Sequence, residues 1–273
     1  MNICKTFGVC VAICLLPLGG CSGSKDSTPM STTGQSPAAA TPRDFDATKK
    51  AADSGDAVAQ YNLGVMYRDG EGVPQDYAEA MKWFRLAAEQ GDADAKYNLG
   101  VMYRDGEGVP QDYAEAMKWF RLAAKQRDAS AQYNLGVMYR DGEGVPQDYA
   151  EAMKWFRLAA EQGDTTAKYN LGVMYRDGLG VPQDYAEAVK WSRLAAEQGD
   201  AEAQCDLGLM YLSGLGVPQD DAEAYAWISV AATSGSEDAS SNRDLVASKL
   251  TPEQLSKAQK RATELFEKYG IED

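Results

Sequence analysis

The stretch YNLGVMYRDGEGVPQDYAEAMKWFRLAA, residues 61–88, occurs three times without a single change, because residues 97–124 and 133–160 repeat it. A fourth copy, residues 169–196, differs at a few positions, and a fifth, residues 205–232, keeps the pattern but changes many residues. The copies begin 36 residues apart. A fixed period of this length is typical of proteins built from stacked structural repeats. We therefore predict one elongated array in which each copy supplies one structural unit.

The first half of each copy predicts an amphipathic helix, called helix A below. In the first copy Asp56 is suited to cap this helix, because its carboxylate can accept hydrogen bonds from the first backbone amides. Gly70 is suited to end the helix in a left-handed conformation, and Gly72 to form the turn that follows. The apolar residues recur at helical spacing, at Ala59, Leu63, Met66 and Tyr67.

The second half predicts another helix, called helix B, which ends at Gly91. Asp76 is suited to cap it, and Glu79 three residues later completes a capping-box pattern. We expect Trp83 to fill the space between neighbouring repeats, so that Trp119→Ala in the middle of the array would cost about 3–5 kcal/mol. Helices A and B together predict an all-α hairpin whose apolar side only another repeat can cover. The apolar residues of helix B are Ala80, Trp83, Phe84, Ala87 and Ala88.

This pattern resembles the Sel-like repeat (SLR) family, whose members are related to tetratricopeptide repeats but have longer loops. The resemblance covers nearly all of residues 44–273. It implies a right-handed α-solenoid of αα-hairpins with helical caps, which works as an adaptor that binds other proteins. The residues that carry it are Ala59, Leu63, Gly64, Tyr67, Gly70, Gly72, Val73, Asp76, Ala80, Trp83, Ala87, Ala88 and Gly91.

Residues 1–20 predict a lipoprotein signal peptide. Lys5 supplies a positive charge, and the apolar run that follows is too short to span a bilayer comfortably. LGGC, residues 18–21, resembles the bacterial lipobox, which implies that Cys21 is lipidated. An ordinary secretory signal with an incidental cysteine is the alternative. Ser22 after the cysteine resembles the pattern of proteins sent to the outer membrane, so we expect a lipid-anchored protein of the bacterial envelope that faces the periplasm.

The rest of the chain divides into three segments. Residues 21–43 are rich in Ser, Thr, Pro, Ala and Gly and predict a disordered tether. Residues 44–236 comprise an N-terminal half-repeat followed by the five repeats. Residues 237–273 predict a C-terminal helical cap, with one helix from Ser236 to about Leu250 and another that begins at Thr251.

Composition narrows the choice of partner. The chain carries a formal charge of −14 and has no histidine. Such an acidic surface would repel phosphate backbones, so we expect no nucleic-acid partner. Membrane contact is expected through the lipid anchor only, and the protein is expected to be a monomer. Cys205 replaces a repeated tyrosine and is interpreted as a packing residue.

No constellation of catalytic or metal-binding residues is visible. The absence of histidine removes imidazole as a base or ligand. The S-x-x-K motif at residues 22–25 falls in the predicted tether and lacks the partner motifs of serine β-lactamases. Asp69, Glu71 and Asp76 recur in the loops and could hold calcium, but a role for Asp76 as a helix cap explains the pattern better. We therefore expect no enzyme activity, no metal and no cofactor.

The candidate binding surface is a stripe on helix A, opposite Leu63, that carries tyrosine, valine and arginine. Tyrosine and arginine are frequent anchors of protein interfaces. In tetratricopeptide-like stacking this side of helix A lines the concave groove. The alternative is that the tyrosines pack between repeats and the arginines pair with loop acids. The stripe, called the Tyr/Arg ladder below, comprises Tyr61, Val65, Arg68, Tyr97, Val101, Arg104, Tyr133, Val137, Arg140, Tyr169 and Arg176.

These observations favour a non-enzymatic scaffold that binds a partner protein or peptide. The alternatives are a hydrolase of cell-wall peptides or β-lactams, an activity suggested for some SLR relatives, and a purely structural spacer. One further position stands out. Arg127 lies where the other copies have glycine, so we predict a strained helix end there and a gain of about 1 kcal/mol in stability on Arg127→Gly.

Overall fold

A computed structural model describes residues 44–269 of the chain, and that part contains thirteen α-helices and no β-strand. The predicted signal peptide, the lipidation site at Cys21 and the tether lie outside the described residues. The helices, in chain order, are α1 Phe45–Asp53, α2 Ala57–Asp69, α3 Tyr77–Glu89, α4 Ala93–Asp105, α5 Tyr113–Ala124, α6 Ala129–Asp141, α7 Tyr149–Glu161, α8 Thr165–Asp177, α9 Tyr185–Ala196, α10 Ala201–Ser213, α11 Asp221–Ala232, α12 Glu237–Ala247 and α13 Pro252–Tyr269.

From α1 to α12, each helix packs mainly against the helices next to it in the chain. The even-numbered helices α2 to α10 are the predicted A helices, and the odd-numbered helices α3 to α11 are the B helices. Each A helix packs closely on the B helix of its own repeat, and each B helix then packs on the A helix of the next repeat. The predicted all-α solenoid of hairpin repeats is therefore confirmed.

The predicted ends of helix A are also confirmed. The Asp56 side chain accepts a hydrogen bond of 2.7 Å from the Ala59 amide. Gly70 ends the helix with φ of 73°, and Gly72 in the turn has φ of 72°. Residues other than glycine seldom adopt this left-handed conformation, because Cβ would crowd the following carbonyl.

The capping box predicted at helix B is only half formed. The Asp76 carboxylate accepts from the amides of Ala78 and Glu79, as predicted. The Asp76 amide, however, donates to the carbonyl of Tyr67 across the hairpin at 2.8 Å. Because this amide already has an acceptor, Glu79 pairs instead with Lys82 on the helix surface.

A phenylalanine rather than the tryptophan is the best-buried large residue of each of the first three repeats. Phe84, Phe120 and Phe156 have no exposed surface, whereas Trp119 is only half-buried. Phe84 also explains the glycine on the facing helix, because a Cβ at Gly64 would lie 2.7 Å from two atoms of its ring. The small residue on helix A thus lets the two helices of a hairpin approach each other across a large ring.

The two ends of the array are closed in different ways. At the amino-terminal end, α1 covers α2, with the Phe45 ring edge-on to that of Tyr67 at 5.8 Å. At the other end, α12 has the Ser236 cap that was predicted, but it ends at Ala247 rather than near Leu250. The predicted start of the next helix is confirmed by reciprocal hydrogen bonds between Thr251 and Gln254.

Helix α13 does not continue the alternation of A and B helices. It packs against α11, the B helix of the fifth repeat, and has few contacts with α12. This contact buries Leu265 of α13 to 2% exposure together with Val230 of α11. The last repeat is therefore covered on a side that the preceding repeats leave exposed.

Candidate functional site

The tyrosines of the Tyr/Arg ladder are half-buried between helices A and B. The Tyr61 ring lies 5.8 Å from that of Phe84 at an interplanar angle of 46°, and the next two repeats reproduce this geometry. Burial raises the pKa of all four tyrosine phenols, so each hydroxyl stays protonated at neutral pH. The tyrosines therefore form part of the packing and expose only part of their surface.

The valines of the ladder contribute to the same packing. Val65 is buried, with 7% of its surface exposed, and packs in the core formed by the first and second repeats. Val101 and Val137 are half-buried in the equivalent positions. These side chains offer a partner little surface of their own.

Each arginine of the ladder joins its own repeat to the next one. Arg68 forks onto the carboxylate of Asp69, with Nε 2.6 Å from Oδ1 and Nη2 2.9 Å from Oδ2. Its Nη1 donates to Oδ1 of Asn98, which lies on helix A of the following repeat. Asn98 is held in place by donating its own amide to the Asp94 carbonyl at 2.8 Å.

The same fork recurs along the array. Arg104 and Arg140 donate to the asparagines of their following repeats, Asn134 and Asn170, at 2.5 Å and 2.7 Å. Arg176 of the fourth repeat faces Asp206 of the fifth, which replaces the asparagine, so it makes an ion pair of 2.6 Å. Sequence reasoning foresaw that the arginines could pair with loop acids, but it missed the asparagines 30 residues away. Their fixed spacing from the arginines was the signal that could have revealed them.

The arginines keep part of their hydrogen-bonding capacity. A guanidinium has five N–H groups, and the fork of Arg68 uses three of them. The remaining two have no acceptor among the residues that the structure describes. The Arg68 side chain is 28% exposed and those of Arg104 and Arg140 are 32% exposed, so a partner has access to this edge of the array.

The ladder stops at the fifth repeat. Its tyrosine, valine and arginine are replaced there by Cys205, Leu209 and Leu212. Both leucines pack against the core that contains Val246 of α12. Cys205 is half-buried, with the Asn242 amide nitrogen 3.9 Å from its sulfur. The fifth repeat, which adjoins the cap, therefore lacks both the tyrosine and the arginine of the ladder.

A second series of arginines joins helix B to the next helix A. Arg85 donates to the hydroxyl of Tyr103 at 2.7 Å, and the pattern repeats down to Arg193, which donates to Tyr211 at 2.5 Å. None of the four has a carboxylate within 4.0 Å in the described part of the chain. The series comprises Arg85, Arg121, Arg157 and Arg193.

The loop carboxylates that suggested calcium have separate structural tasks. Asp69 holds the arginine fork, and Asp76 caps helix B. Across residues 44–269 there is no group of three or more acidic, cysteine or histidine side chains arranged to hold a metal. Within the same residues, no helix is long and apolar enough to cross a membrane.

The fold and the repeated inter-repeat contacts define an α-solenoid of the kind that presents extended surfaces to other proteins. The Sel1 repeat family model matches residues 57–92, 93–128, 129–164, 165–200 and 201–236. These matches cover more than half of the chain, which therefore belongs to the Sel1 repeat family, as the sequence pattern predicted. Proteins of this family are in general protein-interaction scaffolds and typically have no enzyme activity.

Solved structures agree with this assignment. A Sel1 repeat protein from Oxalobacter formigenes is 33% identical over 81% of this chain and 93% of that one, with a TM-score of 0.70. A protective antigen of uropathogenic Escherichia coli strains that displays an SLR fold is also 33% identical, with a TM-score of 0.54. That match covers 83% of this chain but only 56% of the antigen. No curated protein matches the chain.

Proposed function

We propose that this chain is a non-enzymatic scaffold of the bacterial cell envelope that binds a protein or peptide partner through the Tyr/Arg ladder. The family assignment supports a protein-binding role in general. The ladder is our choice of surface because its arginines are held in place and partly exposed along four successive repeats. In the SLR resemblance this side of the A helices forms the concave face of the solenoid.

The observation that carries the proposal is the unused capacity of fixed arginines. Arg68 cannot rotate freely, because Asp69 and Asn98 hold three of its N–H groups. A donor that is already ordered loses little conformational entropy on binding, so its two remaining N–H groups are suited to a carbonyl or carboxylate of a partner. The half-exposed tyrosine beside each arginine would add flat apolar contact area.

Crosslinking in living cells tests this surface. A photoreactive phenylalanine at Tyr133 keeps an aromatic ring against Phe156 and places the probe on the ladder. A matched probe at Lys154, on helix B of the same repeat and exposed, serves as the control. We expect one discrete crosslinked product from position 133 and none from position 154. Absence of a product at 133, or equal products at both positions, would contradict the assignment of the ladder.

We also propose that the protein is anchored in the envelope through a lipid on Cys21. The support is the lipobox-like sequence before that residue. Metabolic labelling with a radioactive fatty acid should mark the wild-type protein and leave Cys21→Ala unmarked, and the variant should move from the membrane fraction to the soluble fraction. Labelling of the alanine variant would rule out this residue as the acceptor.

A further inference from the structure

A cleft of about 410 Å³ lies at the carboxyl-terminal end of the array. Its walls come from α9, from α11 with the turn before it, and from α13, and its floor includes Tyr211 of α10. A volume of this size lies in the range of sites that bind small ligands and single side chains of peptides. The cleft shares no residue with the Tyr/Arg ladder.

Helix α13 creates this cleft by lying over a surface that is open in the other repeats. Ala226 and Val230 of α11 are 0% and 3% exposed, while the equivalent Lys190 and Leu194 in the preceding repeat are exposed. Tyr269 stacks on Trp227 with ring centroids 5.8 Å apart. Within the described residues, α13 therefore covers this surface of helix B in the fifth repeat only.

One wall carries an arginine that is bound to a tyrosine instead of a carboxylate. Arg193 donates to the Tyr211 hydroxyl at 2.5 Å, and its guanidinium carbon lies 5.8 Å from the centre of the Tyr211 ring. No carboxylate of the described residues lies within 4.0 Å of it. In the preceding repeats Arg121 and Arg157 make the same bond to tyrosine but are exposed to solvent, whereas Arg193 is half-buried.

Two of the three acids of the cleft are already engaged. Arg261 of α13 donates to Glu223 at 2.6 Å. Asp220 caps α11 and accepts from two backbone amides. Glu197, the residue that follows the last turn of α9, makes no ion pair within 4.0 Å in the described part of the chain, so it is suited to accept a backbone N–H group of a ligand. The lining thus has three acids and two arginines, and Arg193, which has no carboxylate within 4.0 Å, is the position where a carboxylate of a ligand can be matched. Trp227 and Leu265 supply apolar lining.

From these contacts we propose that the cleft binds a short peptide segment in which a carboxylate adjoins an apolar or aromatic side chain. The carboxylate accepts the free N–H groups of Arg193, and the apolar side chain lies against the aromatic rings of Tyr211 and Tyr269. A carboxylate suits Arg193 because guanidinium groups bind it through paired hydrogen bonds. Because the cleft and the ladder have no residue in common, either surface can bind without the other.

The test uses the complete protein and two synthetic peptides, acetyl-Ala-Ala-Phe with a free carboxylate and the same peptide as its amide. Binding is followed by the indole N–H signals of the five tryptophans in NMR spectra. The Trp227 signal is identified through Trp227→Phe. A ligand of this size in a partly open cleft should bind with a dissociation constant of about 1 mM.

We expect the acid peptide to shift the Trp227 signal and the amide to bind at least about tenfold more weakly, since an ion pair of this kind is lost. Arg193→Gln should cause a similar loss. The matched control Arg157→Gln removes the same bond to tyrosine at an open junction and should leave binding unchanged. The proposal is overturned if the Trp227 signal does not move at 10 mM peptide (about ten times the expected dissociation constant), if acid and amide bind equally, or if both arginine variants behave alike.

Discussion

Arg127 offers the sharpest test of how the array is held together. It has φ of 67° and is the one residue other than glycine with a positive φ in the described part of the chain. The copies on either side have Gly91 and Gly163 at this position, each with φ of 104°. A Cβ built at either glycine meets no atom within 4 Å. The strain at Arg127 therefore comes from its own backbone and not from a clash with neighbours.

The size of the effect follows from three contributions. A left-handed conformation costs a residue with Cβ about 1–2 kcal/mol, which Arg127→Gly would relieve. Glycine gains more conformational freedom in the unfolded chain, and this offsets about 0.5–1 kcal/mol of the gain. The loss of an exposed positive charge just past the end of α5 costs at most a few tenths of a kcal/mol, since such charges favour helix carboxyl ends but are screened. We expect a net gain of about 0.5–1 kcal/mol.

Two further variants separate these contributions. Arg127→Ala removes the charge but keeps Cβ, so its stability should stay close to that of the wild type. Gly163→Arg introduces the strain into the next repeat and should lose about as much as Arg127→Gly gains. Thermal unfolding followed by circular dichroism measures all three, with shifts of about 2–4 °C per kcal/mol expected for a domain of this size. If Arg127→Gly lowers the melting temperature while Gly163→Arg leaves it unchanged, the position is not strained and the reasoning fails.

Three other changes probe the packing and the charges. Trp227→Ala removes a side chain that is 4% exposed and should lower the free energy of unfolding, measured by chemical denaturation, by about 4 kcal/mol. The same change at the half-buried Trp119 should cost less, about 3 kcal/mol. Equal losses would mean that α13 does not cover Trp227. Gly100→Ala places Cβ 2.6 Å from the buried ring of Phe120 and should cost about 1–3 kcal/mol, so an unchanged melting temperature would show that the helices can separate freely. Burial raises the pKa of Asp206, so the folded protein binds this proton more tightly than the unfolded chain, and the contribution of Asp206 to stability falls as pH rises through the range above 3.8. Asp206→Asn, which copies the earlier repeats, should therefore flatten the dependence of melting temperature on pH in the acidic range above the ordinary pKa of aspartate. An identical pH profile would contradict this.

The fold could be predicted well from the sequence because the features that determine each helix are local. The 36-residue period, the Asp56 cap and the left-handed glycine at position 70 each depend on a few neighbouring residues, and the structure confirms them. The capping box at Asp76 was wrong in part, since the Tyr67 carbonyl takes the amide that Glu79 was expected to bind. That carbonyl belongs to the other helix of the hairpin, and a local pattern does not reveal its position.

The candidate surfaces were harder to predict because they depend on contacts between residues that are far apart in the sequence. Helical spacing placed Arg68 on one stripe with Tyr61, but it could not show that Asn98 of the next repeat would accept one of its N–H groups. Spacing also could not show that α13 turns back onto α11 and closes a cleft beside Arg193. Contacts between repeats depend on how far one hairpin is rotated against the next, which the period alone does not fix.

The first three repeats are nearly identical, so the recurrence of a residue among them does not identify it as functional. A duplicated surface preserves idle and useful positions equally, so the recurrence of Arg68 does not by itself separate packing from recognition. The positions that diverge carry more information, because each change can be compared with its unchanged copies. Lysine becomes Ala226 and leucine becomes Val230 where α13 packs, and both are buried there. At position 193, by contrast, the arginine and its hydrogen bond to tyrosine are the same as in the earlier repeats, but α13 forms a wall of the cleft that Arg193 lines. The same side chain that elsewhere faces solvent is thereby placed in a cleft, and binding measured at this junction but not at the others would be attributable to that wall.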